Sequence, residues 1–215
     1  YWKDKEIFYE NYFSKFNKYS LFNSEKYEEI LIYPTALQLK TYYKFPPLKK
    51  YHLKLNLNYK FYENLNNNLK NKVKIKPFPN RNSNFFISNW KKKYKKNHFF
   101  NNRKNPFNFF KIIIIDDVST PLCELLYVEA PFILIDNEFL RLNSETYKKI
   151  IKLKKLNVLF QNPTEAAHFL NKNYDNIEKW WVSVKKKKIF KDIKKYMIPD
   201  FSKKIKFNDK IKNLK

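Results

Sequence analysis

Between residues 111 and 181 apolar runs alternate with helical patterns, and this alternation narrows the fold more than any other feature of the chain. KIIII (111–115) is a continuous apolar run that ends in Asp116-Asp117. A run this short and this uniform suits a parallel strand covered on both faces. Leu122, Leu125 and Leu126 then recur at helical spacing, and APFILID (130–136) is a second buried strand. SETYKKIIKLKKL (144–156) reads as a helix with Tyr147, Ile150 and Ile151 on its inner face. NVLFQ (157–161) is a third strand, and NPTEAAHFLNKNYDNIEKWW opens a further helix on a capping box, Asn162-Pro163-Thr164-Glu165. Strand and helix in strict turn predict an α/β fold, a Rossmann-like parallel sheet flanked by helices with right-handed crossovers.

The first half is less regular. EEILIYPTALQL (28–39) predicts a strand that stops at Pro34, and VKIKPFP (73–79) a strand ending on two prolines. Residues 51–72 carry two periods at once. Leu53, Leu55, Leu57 and Tyr59 alternate as in a strand, whereas Phe61, Leu65 and Leu69 recur every four residues, and length favours a helix. Phe45-Pro46-Pro47 reads as a linker, and the Lys/Asn-rich stretch 80–110 as a mobile surface loop with a short helix around Trp90. The expected division is therefore an N-terminal arm or remnant of a preceding domain (1–27), one domain (28–198) and a basic tail (199–215). Tyr1 in place of methionine suggests a fragment or a processed product.

The formal charge of +25 invites a nucleic-acid reading. Lysine makes up nearly all of it, arginine occurs only at positions 81, 103 and 141, and glycine is absent. Abundant Lys, Asn, Ile, Phe and Tyr is what an AT-rich coding sequence produces. A chain selected for phosphate or base recognition would be expected to use the bidentate arginine fork, so no specific nucleic-acid partner is expected. The lack of glycine also excludes the dinucleotide fingerprint and the Walker loop, both of which need close backbone approach to phosphate. Cys123, the single cysteine, cannot form an internal disulfide and reads as a small buried hydrophobe. His52, His98 and His168 have no carboxylate or cysteine at ligand spacing, so no metal site is expected.

Ligands in open parallel sheets bind where strands end and loops lead into helices. Asp116–Thr120 is such a place. Thr120 before Pro121 reads as an N-cap with proline at the first helical position. The helix start beyond it carries about half a positive charge, and the hydroxyls of Ser119 and Thr120 lie beside its amides, an anion site that needs no glycine. Glu124, near the first turn, would accept bonds from sugar hydroxyls. Arg141, a few residues past the end of a strand, could clamp a phosphate. The plainer reading is that Ser-Thr-Pro is a common cap, that Asp116 and Asp117 are turn residues, and that Arg141 lies on the surface. Trp180 and Trp181 read as a cap on the core, with binding of an acceptor as the alternative.

The pattern Ser119-Thr120, Leu122-Cys123-Glu124-Leu125-Leu126, Ala130-Pro131 resembles a family of surface-carbohydrate (polysaccharide) transferases. The likeness continues through Phe139-Leu140-Arg141, Leu156-Asn157-Val158-Leu159, Pro163-Thr164-Glu165-Ala166-Ala167 and Ile177-Glu178-Lys179-Trp180-Trp181. It covers about residues 28–198 and is distantly similar to CDP-glycerol glycerophosphotransferases and bacterial sialyltransferases. The resemblance implies the C-terminal, nucleotide-donor-binding half of a GT-B-type fold, with Asp117, Ser119, Thr120, Glu124 and Arg141 at the donor. It implies a transferase in surface-polysaccharide biosynthesis that moves a sugar or related group from a nucleotide-activated donor to a carbohydrate acceptor. No metal and no cofactor beyond that donor is expected, and no DxD motif is present. Where the distant relatives carry a His-Pro motif this chain has Lys76-Pro77-Phe78-Pro79, so the catalytic residue stays unassigned and is expected from the missing N-terminal half. The expected setting is cytoplasmic, with peripheral contact to the inner face of the membrane as an option. The alternative is a noncatalytic basic module for nucleic acid or an anionic membrane surface.

Overall fold

The computed structural model describes residues 28–34, 48–76, 83–94, 98–100, 106–136 and 143–198. The expected arm (1–27), the Pro46-Pro47 linker, Arg141 and the basic tail (199–215) lie outside the described residues. The described chain runs β1 (Ile30–Tyr33), α1 (Leu48–Glu63), α2 (Asn67–Asn71), β2 (Val73–Ile75), α3 (Ser83–Tyr94), β3 (Ile112–Ile115), α4 (Thr120–Val128) and β4 (Phe132–Ile135). It continues through α5 (Ser144–Ile150), a 3-10 turn (Ile151–Leu156), β5 (Leu159–Phe160), α6 (Pro163–Asn173), α7 (Ile177–Lys186) and α8 (Lys188–Met197).

The five strands form one wholly parallel sheet in the order β2-β1-β3-β4-β5, the α/β architecture that the alternating pattern predicts. Every residue of β1, β3 and β4 is buried, because helices cover both faces. The four isoleucines of β3 divide by parity. Ile113 and Ile115 pack with Leu122, Leu125 and Leu126 of α4 and with Trp181, Phe190 and Ile193 of α7 and α8. Ile112 and Ile114 pack with Phe61 of α1, Trp90 of α3 and Ala166, Ala167 and Leu170 of α6. Each such side chain contributes about 1.5–3 kcal/mol by leaving water.

One ambiguous local reading resolves in three dimensions and two others change. The mixed pattern at 51–72 resolves as α1 followed by the short α2. Lys54, Leu55, Asn58, Phe61, Tyr62 and Leu65 form its buried stripe, while Leu53 of the apparent alternation is 38% exposed. The Lys/Asn-rich stretch holds a twelve-residue helix, α3, longer than the short one expected, because Trp90 is fully buried and ringed by Phe86, Tyr59, Tyr62 and Tyr94. Tyr147, expected on the inner face of its helix, is 39% exposed. Ile150 reaches the core as expected, and because the helix ends there and tightens into the 3-10 turn, Leu153 joins it while Ile151 is half-buried.

Trp180 and Trp181 cap the core, as expected. Trp181 is 2% exposed, lies 5.3 Å from the rings of both Phe132 and Phe190, and donates its indole N–H to the Glu129 carbonyl at 2.8 Å. Trp180 is half-buried, touches the cores on both faces of the sheet and donates to the Leu156 carbonyl at 3.1 Å. Among the described residues no helix is long and apolar enough to cross a membrane.

Candidate functional site

A sheet in the order 2-1-3-4-5 is doubly wound, and its chain reverses direction of winding between β1 and β3. The crevice at the carboxyl ends of those two strands is where such folds place ligands. The turn from Asp116 to Ser119 leaves β3 at that point and leads directly into α4.

The start of α4 differs by one residue from the sequence expectation. Ser119, with φ −144° and ψ −168°, is the N-cap, and Thr120 is the first helical residue with Pro121 second. The Ser119 hydroxyl makes no capping bond, and its Oγ is buried without a hydrogen-bond partner among the described residues. Thr120 is exposed. Pro121 supplies no N–H, and the Leu122 N–H turns back to the Ser119 carbonyl at 3.0 Å. Of the amides at 120–122, that of Thr120 is the one left to face a ligand. The helix charge, this amide and two neighbouring hydroxyls make a compact donor set for one anionic group.

Glu124 lies in the second turn of α4 rather than the first and is 7% exposed. Burial pushes the Tyr33 hydroxyl at the end of β1 well above its ordinary ionisation range, and the nearby charge of Glu124 adds to the effect. Burial, followed by the same charge, lifts the Cys123 thiol to about 11, so this half-buried cysteine is no thiolate at neutral pH. Asp117 is partly buried beside the turn, so Asp117, Ser119 and Thr120 are brought onto one short loop at the rim, and Glu124 onto the sheet side of the helix behind it.

Sequence reasoning missed the groups that hold this loop. Lys54 and Asn58, one turn apart on α1, are both buried at the rim. The Lys54 ammonium donates to the main-chain carbonyl of Asp116 and stands 4.0 Å from the Asp117 carboxylate and 3.9 Å from that of Asp136. Asn58 Nδ2 donates to Asp116 Oδ2 at 2.9 Å and to the Lys54 carbonyl at 2.9 Å. Asp116 and Asp136 are each 2% exposed and close neighbouring strands β3 and β4. One signal was available: both buried runs, IIIID and FILID, end in aspartate. The lysine had none, because the alternating leucines around it disguise the helical face.

Lys76, the first residue of the Lys-Pro-Phe-Pro motif, follows β2 and donates its backbone N–H to the Ile32 carbonyl at 3.1 Å, which puts it on the same rim. Burial lowers the affinity of its amine for a proton, and the amine lies 5.6 Å from the ring centre of Phe100. Pro77, Phe78 and Pro79 lie outside the described residues. His98 is buried, donates from Nδ1 to the Val73 carbonyl at 3.1 Å and meets the Tyr62 hydroxyl at 3.3 Å, a structural role at the edge of β2. No group of three or more His, Cys, Asp and Glu that could hold a metal ion occurs among the described residues.

A family model described as "LIC12162 family transferase" matches residues 2–202 of this chain. No curated protein and no solved structure matches it significantly.

Proposed function

The chain belongs to the LIC12162 family of transferases, and on that premise we propose that it binds the nucleotide-activated donor of a group transfer at the carboxyl rim of its sheet. The finer reading is a GT-B-like half that delivers a sugar or related group to a carbohydrate acceptor in surface-polysaccharide assembly. The observation that carries it is the buried, unpartnered Ser119 hydroxyl at the start of α4, directly after the central strand β3. A buried hydroxyl without a partner is rare and calls for an explanation, and a phosphate oxygen at this helix start would provide one. In that reading the Thr120 amide and the two hydroxyls stabilise negative charge on the leaving nucleotide as its bond to the transferred group breaks. Glu124 and Asp117 orient the donor, Arg141 clamps its phosphate, and the general base comes from outside the residues discussed.

The test is calorimetric titration of the chain with CMP, CDP, UDP and GDP. Saturable binding of at least one, lost in the Ser119→Ala/Thr120→Ala double variant with the melting temperature unchanged, supports the reading. Silence with all four nucleotides refutes it.

A second reading, a basic module for an anionic surface, is favoured by a groove of about 480 Å³ between α5 and α8, where Lys149, Lys152 and Lys195 meet Tyr196. The apolar side of α8 is spent on the core through Phe190 and Ile193, so this helix offers lysines rather than an insertable face. Binding to anionic vesicles or RNA that falls steeply with salt, with no nucleotide binding, would favour it.

A further inference from the structure

We propose that Lys54 is the positioning residue of the donor site. From α1 its ammonium holds the exit of β3 in the shape that presents Ser119 and Thr120 to an anionic group, with Asp117 beside them. This inference rests on the donor-binding reading above.

The geometry is specific to the loop. Lysine is almost never buried without partners, and Lys54 is 8% exposed. Its hydrogen bond goes to a main-chain carbonyl, that of Asp116, at the residue where the chain leaves the strand. The carboxylates of Asp117 and Asp136 flank the same ammonium at 4.0 and 3.9 Å, so one charge ties the ends of β3 and β4 together. Asn58 fixes the Asp116 side chain at 2.9 Å from one turn further along the helix. Main chain and side chain of Asp116 are thus both held from α1, three residues before Ser119. A buried ion pair adds little net stability over well-packed apolar groups, because desolvation of both charges offsets their attraction. What such a cluster does well is to select one geometry, and the geometry selected here is that of the loop entering α4.

Three variants of the whole chain test this: Lys54→Met, Lys54→Met/Asp136→Asn, and Lys60→Met, which removes an exposed charge from the same helix. Each is melted and titrated with whichever of the four nucleotides binds the wild type, and amide hydrogen exchange at 117–120 is followed without ligand. Lys54→Met is expected to melt lower and to bind more weakly by about tenfold, the size usual when an outer-shell partner of a binding group is lost. The double variant, which removes cation and carboxylate together, is expected to recover most of the melting temperature without recovering affinity. Its amides at 117–120 should exchange faster than those of the wild type, while Lys60→Met matches the wild type throughout. A folded double variant with wild-type affinity and wild-type exchange at 117–120 would overturn the inference and leave the donor reading intact. A wild-type chain that binds none of the nucleotides would overturn the donor reading and this inference with it.

Discussion

The adjacent tryptophans of α7 should be unequal, and the structure says by how much. In Trp181→Phe the Glu129 carbonyl loses the donor it meets at 2.8 Å. Trp181 is 2% exposed and its bond to Glu129 is part-buried, and an acceptor that loses its donor in such a place costs about 1–3 kcal/mol. The smaller ring also leaves a void between Phe132 and Phe190, worth about another 1 kcal/mol. The sum is about 2–4 kcal/mol, or a fall in melting temperature of about 4–16 °C for a chain of this size. In Trp180→Phe the Leu156 carbonyl lies beside a half-buried ring, where water can reach it, and the loss is about 1 kcal/mol. Equilibrium urea unfolding followed by far-UV circular dichroism measures both. Glu129 follows the carboxyl end of α4, about 15 Å along the helix from Ser119, so nucleotide binding should not change in either variant. Equal losses, or a larger loss for Trp180→Phe, would refute this account of the pair. Loss of nucleotide binding without loss of stability would give the tryptophans a part in the site.

Two further outcomes follow from local geometry and charge. Asn162 caps α6 by accepting the Thr164 N–H at 2.9 Å, so Asn162→Ala should cost about 1 kcal/mol, whereas Ser119→Ala removes a hydroxyl that makes no cap bond and should be neutral or slightly stabilising in the ligand-free chain. Comparable losses in urea titrations of the two variants would contradict this. Stability should also fall at both ends of the pH scale. Lys72 holds the Glu28 carboxyl below its usual range and Lys93 that of Glu63; at Glu129 burial pushes upward but Lys194 and Lys185 outweigh it. Carboxyls depressed in the native state stabilise fully above the unfolded value near 4.5 and lose that contribution as pH falls through their lower native values. Burial raises Tyr33, Tyr94 and Tyr174 above the usual 10, so their contribution is complete below that pH and is lost above it, where the unfolded chain ionises first. Urea midpoints from pH 3 to 11 should show a plateau with two falling limbs, and a midpoint at pH 11 equal to that at pH 8 would refute the alkaline limb.

What could be read from the sequence follows from how each signal is encoded. The strands at 112–115 and 132–135 announce themselves because burial on both faces demands an unbroken apolar run. The turn that follows the first of them is placed by the same logic, so the sequence alone locates Ser119 and Thr120. The cap was off by one residue because Ser119 and Thr120 are chemically equivalent caps, and only the backbone torsions of Ser119 distinguish them. The full length of the helix around Trp90 was hidden for another reason. That helix is surrounded by lysine and asparagine, and one aromatic residue buried at 0% exposure leaves no periodic trace. Lys54 and Asn58 were least legible of all. Polar residues on a buried helical face break the apolar stripe that would reveal the face, and their partners, Asp116 and Asp136, are distant in sequence.

The absence of glycine connects these observations. Helices usually end on a left-handed residue, and glycine usually fills it because a Cβ there costs about 1–2 kcal/mol. Here Asn157 (φ 54°) and Glu129 (φ 58°) occupy such positions. Asparagine tolerates the conformation, but glutamate has no local hydrogen bond to offer in return and must be held from outside. The Glu129 carbonyl accepts from Trp181, and its carboxylate is bound by Lys194 and faces Lys185 at 3.7 Å. Helix α4 is therefore clamped at its carboxyl end by α7 and α8. At its amino end the loop that feeds it is held by Lys54 and Asn58 of α1, on the opposite face of the sheet. The hold at the amino end is the one that bears on Ser119 and Thr120, because it acts three residues before Ser119. On the proposed donor-binding reading, a loop already held in place needs no reorganisation as the bond to the leaving group breaks. The Trp181 clamp, at the opposite rim, bears on stability, and the Lys54 cluster on the loop itself.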